Sequence, residues 1–233
     1  LLGFASPDYN VVYAQMGRGK TERIVAQAIA GVAATISKLT FDACLFNSQN
    51  FGFLRLADKF TTGSSIMPHK KNPDVFELTR AKCNRLQALP GEITLITNNL
   101  PSGYFRDLQL IKESFLPAFD EIIDILAMVD AMIGQITVNE NILDDNRYDL
   151  MFSVEEVNRL TQGGMPFRDA YKKVGLDIEA GRFRPVKQVA HTHIGSIGNL
   201  CNREIETLYR RELDRFDFDT YHNAFDKLLG RKQ

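Results

Sequence analysis

Residues Thr21–Phe46 read TERIVAQAIAGVAATISKLTFDACLF, a run rich in Ala, Ile, Leu and Val that contains no proline. Ile24, Ala28, Val32, Thr35, Ile36 and Leu39 recur at spacings of three and four, which predicts one apolar face of a long α-helix. Gly31 weakens that helix locally and permits a close approach by a neighbour. Working outward, two more long helices fit Asp74–Asn98 and Asp107–Thr137, each with one internal proline, Pro90 and Pro117, expected to kink or split it. Strand signals are few, the best of them the short stretches Tyr9–Tyr13 and Arg184–Val189. The expectation is an all-α protein with a long-helix bundle.

After about Asn146 the helical units shorten. Ser153-Val154-Glu155-Glu156 reads as a capping box, Gly163-Gly164 as the stop of that helix, and Phe167–Val174 as a short helix ending at Gly175. Helices near Ile197–Arg215 and Thr220–Leu229 complete the pattern. A boundary near Asn146 therefore divides a bundle segment, residues 1–146, from a small C-terminal helical domain, residues 147–233. The opening Leu1-Leu2-Gly3-Phe4-Ala5-Ser6 lacks an initiator Met and is read as the start of a C-terminal piece of a longer protein.

The whole chain has 233 residues, 28 basic and 29 acidic, for a net charge of -1. That balance argues against a dedicated nucleic-acid or anionic-membrane partner, both of which favour a basic excess. No apolar run is read as approaching the roughly 18 residues that span a bilayer. Cys44, Cys83 and Cys201 are three, widely spaced and odd in number, so neither a disulfide framework nor a zinc site is expected, and a reducing cytoplasm suits them.

Between the first two long helices lies Gly63-Ser64-Ser65-Ile66-Met67-Pro68-His69-Lys70-Lys71-Asn72-Pro73, a polar loop entering a helix. Asn72 suits the N-cap and Pro73 the first helical position. With Lys70 and Lys71 beside a helix N-terminus, the loop is a natural anion site. A Ser hydroxyl there can serve as a proton acceptor only where positive charge stabilises its alkoxide. The plain alternative is an exposed loop before a capped helix.

These eleven residues resemble the signature of the fumarase–aspartase–argininosuccinate lyase superfamily, Gly-Ser-x-x-Met-Pro-x-Lys-x-Asn-Pro, and meet every fixed position. Asp74, Glu77-Leu78 and the later stretch Leu100–Lys112 are similar to the argininosuccinate lyase family at matching spacing, as is Gly164-Met165-Pro166-Phe167-Arg168. Fumarases and aspartases usually carry Val where this chain has Lys71. The resemblance implies a mostly helical homotetramer, located in the cytoplasm, that splits a small-molecule substrate, argininosuccinate, into arginine and fumarate by β-elimination without a metal or organic cofactor.

Residue by residue, the resemblance implies that Ser64 is the general base and Lys70 stabilises the aci-carboxylate. Asn72 would bind a carboxylate, and Glu77 would orient a His outside this chain. Tyr104, Gln109 and Lys112 match substrate-contacting positions. The family's other catalytic segments lie N-terminal to these residues, so this chain alone is expected to be inactive. His69 has no assigned role, and a metal at His191-Thr192-His193 is not expected.

Rival readings are a lyase on another succinyl adduct such as adenylosuccinate, and a catalytically silent structural homologue. A third rests on Gly17-Arg18-Gly19-Lys20-Thr21, which resembles a phosphate-binding loop after a short strand. Ala14 stands where that pattern requires Gly.

Overall fold

In the computed structural model, residues 4–189 and 191–231 are described, so the reading of Leu1–Gly3 lies outside them. The chain divides into two compact units, one of them Asp8–Ile142 and the other containing the residues after Ile142.

Asp8–Ile142 is built on helices α1 (Val11–Met16), α2 (Lys20–Asn47), α3 (Asp74–Leu86), α4 (Leu89–Thr97) and α5 (Ile111–Ile133). The core draws Ala26, Ile29 and Ala33 from α2, Cys83 and Leu86 from α3, Leu89 and Ile93 from α4, and Ile111, Ala118, Ile122, Ile125 and Val129 from α5. Burial mostly at spacings of three and four gives each of α2 to α5 one committed face, whereas α1 buries none of its residues. On α2 that face is not the one expected. Ala26, Ile29, Ala33, Thr40 and Ala43 are buried, whereas Ile24, Val32 and Leu39 stand 56%, 42% and 40% exposed. The helix is apolar on two sides, and the unit's own core takes the side with small residues. Gly31 faces open space, so it admits no close neighbour here.

The close approach occurs at Gly19 instead. Its φ of +84° is open to glycine, and a Cβ there would lie 2.3 Å from Cγ2 of Thr97. Residues Val11–Asn47 are also long and apolar enough, by length and composition, to cross a membrane, which corrects the sequence expectation that no such run exists. In the structure the inner face of α2 forms bundle core.

The two prolines act differently. Pro90 falls in the first turn of α4, and the helical segment divides at Gln87-Ala88, as expected. Pro117 sits inside an unbroken α5. The helix continues through it because Ile111, Ala118 and Ile122 are all held in the core. The expected strand at Tyr9–Tyr13 is instead the start of α1, capped by Asn10, whose Oδ1 accepts from the Tyr13 amide at 2.9 Å.

The strands lie elsewhere. β1 (Leu54–Leu56) pairs antiparallel with β4 (Ile136–Val138), Leu54 opposite Val138. β2 (Thr62–Gly63) pairs with β3 (Lys71–Asn72). Ala43, Phe76 and Met132 form a second apolar cluster, joined by Leu56, Phe60 and Ile136. It gathers the end of α2, the start of α3 and the end of α5 at one end of the bundle.

The unit after Ile142 contains α6 (Ser153–Gln162), α7 (Phe167–Glu179), α8 (Asn202–Leu213) and α9 (Phe218–Leu229). Val157, Ala170, Val174 and Phe183 form its core, with Leu160, Met165 and Ile178 against them. The Ser153 capping box does not form. Phe152 is the N-cap, after a 3-10 turn, and Glu156 turns to Arg159 at 2.6 Å. α6 stops before Gly163-Gly164 as expected, but α7 runs through Gly175, and Arg184–Val189 forms no strand.

Candidate active site

The signature residues are presented by a hairpin rather than by a free loop. Thr62 pairs with Asn72 and Gly63 with Lys71, so Ser64 and Lys70 stand at the two ends of the connecting loop. Asn72 is thus a strand residue, and Pro73 takes the N-cap of α3, one position later than expected. Ser64 folds back on its own loop. Its Oγ accepts from the amides of Ile66 at 3.2 Å and Met67 at 3.1 Å. Two N–H dipoles aimed at one hydroxyl oxygen favour negative charge on it.

Lys71 pairs with Asp58, and Thr62 donates to Asp74. Lys70 is exposed at the loop's end. Glu77 is exposed one position after buried Phe76, in the first turn of α3. On the same helix Arg80 is stacked over the Phe41 ring at 5.8 Å. Burial pushes the Cys44 thiol up; Arg80 opposes that shift and the Glu77 charge adds to it.

Tyr104, Gln109 and Lys112 form a second group. Lys112 Nζ donates to Gln109 Oε1 at 2.7 Å, and Gln109 Nε2 donates to the Tyr104 hydroxyl. The chain of contacts orients the Lys112 ammonium without a carboxylate partner in the group. Gln109 closes a 3-10 turn, Arg106–Gln109, and Lys112 lies in the first turn of α5. Those positions lie at the other end of the bundle, where Gly19 at the start of α2 meets Thr97 at the end of α4. Helices α3 and α4, Asp74–Thr97, separate the hairpin from this group; at about 1.5 Å per helical residue, the path along them is roughly 35 Å. One chain therefore places Ser64, Lys70 and Asn72 on the hairpin and Glu77 in the helical turn that follows it, and Tyr104, Gln109 and Lys112 in a separate group, but does not join the two.

The phosphate-loop rival meets a physical obstacle. Helix α1, not a strand, precedes Gly17, and the Gly19 amide at the start of α2 donates to Glu22 Oε2 at 2.7 Å. Arg18 is drawn to the same carboxylate, Nε to Oε1 at 3.0 Å. An internal anion occupies the place a phosphate would need.

In the unit after Ile142, a polar cavity of about 440 Å³ is lined by Glu155, Arg159, Gln188, His191 and His193 among others. His191 Nε2 lies 3.0 Å from Glu155 Oε2. No group of three or more metal-ligating side chains occurs among the described residues. None of the sequence-predicted site residues lines this cavity.

A family model described as "Lyase" matches residues 21–88, which span α2, the signature hairpin and α3. Argininosuccinate lyase of Parabacteroides distasonis is 70% identical over 229 residues, covering 98% of this chain and 51% of that protein. Argininosuccinate lyase of Bacteroides fragilis is 69% identical, covering 100% of this chain and 52% of that protein. Over nearly its whole length the chain is similar to argininosuccinate lyases. It spans about half the length of these relatives. Among solved structures, EDDS lyase in complex with formate matches with a TM-score of 0.61 at 20% identity, over 77% of this chain and 37% of that one. Recombinant class II fumarase from Schistosoma mansoni matches with a TM-score of 0.56 at 17% identity, over 76% and 39%. These two likenesses concern the fold alone.

Proposed function

We propose that the protein carrying this chain is an argininosuccinate lyase, which cleaves argininosuccinate to arginine and fumarate by β-elimination. The observation that carries the reading is the Ser64 hydroxyl held by the amides of Ile66 and Met67, inside a signature loop that also presents Lys70. Ser64, as its alkoxide, removes the proton from the carbon next to a succinyl carboxylate. The electron pair moves into that carboxylate, giving a dianionic aci form that the Lys70 ammonium stabilises. Collapse of the aci form expels the substituted nitrogen and breaks the Cα–N bond, leaving fumarate. Asn72 binds a carboxylate, and Glu77 orients a His that lies outside this chain.

Tyr104, Gln109 and Lys112 contact substrate in the same reading. Their distance from Ser64 within one chain makes a homo-oligomer, a tetramer, part of the proposal: one copy supplies the signature hairpin and another the group of Tyr104, Gln109 and Lys112. The exposed Ile24, Val32 and Leu39 face of α2 supports that association, since apolar surface of this kind marks an interface. Residues 1–146 then act as the bundle segment and 147–233 as the small C-terminal domain, in a cytoplasmic enzyme. The test is fumarate release from argininosuccinate, followed by ultraviolet absorbance, for the whole protein and its Ser64→Ala variant. Release by the wild type and not by the variant is expected. No release by the whole wild-type protein overturns the proposal.

A further inference from the structure

The loop that carries Ser64 and Lys70 is closed by only two cross-strand pairs, Thr62 with Asn72 and Gly63 with Lys71. A ribbon that short does not hold itself closed in water. Two side-chain contacts brace it from outside. Lys71, on β3, reaches back to the carboxylate of Asp58, which opens the 3-10 turn Asp58–Phe60 just before β2. Thr62, on β2, reaches forward to Asp74, the first residue of α3. Each strand is thus tied to the element that flanks the other strand, and the two ties cross at the hairpin's base.

We propose that Asp58 and Lys71 are positioning residues for catalysis: their ion pair keeps the hairpin closed and so sets where Ser64 and Lys70 stand. The inference rests on the lyase reading above and deepens it, by separating the work of two adjacent lysines. Lys70 faces the substrate, whereas Lys71 is committed to the protein's own Asp58.

Both partners are largely solvent-exposed, 53% and 78% for the side chains of Lys71 and Asp58, so the pair is weak in absolute terms. It matters because the ribbon it closes is near balance between open and closed. A weak tie on such an equilibrium changes the closed population by about two- to five-fold.

The experiment uses the whole protein as wild type, Asp58→Asn, Lys71→Met, and the charge-reversed double variant Asp58→Lys with Lys71→Asp. Amide hydrogen exchange of residues 62–72 is read by mass spectrometry, beside kcat and KM on argininosuccinate. Each single variant is expected to speed loop exchange and lower kcat by about two- to five-fold, with a smaller change in KM. The charge-reversed pair is expected to recover most of both. Unchanged loop exchange in the single variants overturns the clamp. Faster exchange with unchanged kcat overturns the positioning role and leaves the lyase reading standing. Absence of turnover in the wild type overturns the lyase reading and, with it, the catalytic half of the inference, whatever the exchange shows.

Discussion

The hydroxyl oxygen of Ser64 accepts a hydrogen bond from the backbone amide of Met67 at 3.1 Å, within the hairpin loop that also carries Lys70. A neutral serine is a feeble base, so any role in proton removal depends on stabilising its oxyanion. The amides of Met67 and Ile66 do this without a change of loop geometry, because they already point at the oxygen. Ser64→Ala is therefore expected to lower kcat by about 10²–10⁴-fold, the usual worth of a general base, while leaving thermal unfolding unchanged. The second half follows from burial: Ser64 lies in an exposed loop and supplies nothing to the core. Steady-state kinetics beside a melting curve checks both. A fall in activity matched by a fall in melting temperature would count against the assignment.

Gly19 and Glu22 together hold the start of α2, and each gives a separate expectation. At Gly19 the backbone has a φ of +84° and Thr97 blocks any side chain, so Gly19→Ala is strained twice over. A loss of about 1–3 kcal/mol in denaturant-unfolding stability is expected. No loss would mean that the α2–α4 contact gives way freely.

Glu22 titrates below the usual 4.5 of a glutamate. Burial acts to raise it, and hydrogen bonds from its own amide, from Arg18 and from the Gly19 amide outweigh that effect. A carboxyl lowered on folding stabilises the native state above its unfolded value, and that contribution fades as pH falls through the folded value. Glu22→Gln keeps an acceptor for Gly19 but removes the charge. The stability difference between wild type and Glu22→Gln is expected to be largest near about pH 6 and to shrink toward about pH 3. Chemical denaturation at a series of pH values reads it directly; a difference independent of pH would exclude the carboxylate's charge as its source.

The sequence was most legible where one element answers to one local signal. The apolar period of Thr21–Phe46 predicts α2, and Pro90 predicts the division between α3 and α4. It misled where tertiary packing chose between two acceptable answers. On α2 both the Ile24–Val32–Leu39 side and the Ala26–Ile29–Ala33 side carry helical spacing, and the core accepted the side whose small residues let helices approach. Pro117 could not be told from Pro90 by residue type, because what carries α5 across it is burial of its own Ile111, Ala118 and Ile122 against other helices. β1 and β4 were missed because each is short and is made a strand by the other. For the site, Ser64, Lys70 and Asn72 stood out in one motif, with Glu77 just beyond it. Asp58 did not, since a lone Asp before Lys59 and Phe60 has no signature; only the fold brings it to Lys71.

The unburied side of α2 gives another expectation. Ile24, Val32 and Leu39 share one stripe and remain substantially exposed in the isolated chain. If that stripe is covered by another copy, Val32→Glu places a charge in an apolar interface, at a cost of several kcal/mol to assembly. A shift of the whole protein toward smaller species is expected by light scattering, with helix content retained. An unchanged mass would mean that this stripe lies outside any interface between copies.

The separation of Ser64 from Lys112 allows the most demanding test. Roughly 35 Å of helix lies between the two loops in one chain, so neither loop can complete the other's site within that chain. If a site draws its signature hairpin from one copy and its Lys112 group from another, Ser64→Ala and Lys112→Met damage different contributions to the same site. Homogeneous oligomers of either variant should show little turnover. When the two are unfolded together and reassembled at equal amounts, some sites receive an intact hairpin from a Lys112→Met subunit and an intact Lys112 from a Ser64→Ala subunit. With random assembly each contribution is intact half the time, so about a quarter of wild-type activity should return. Simple mixing without exchange of subunits should return none. Failure of the reassembled mixture to regain activity, with oligomers demonstrably formed, would show that the two groups do not serve one site across copies.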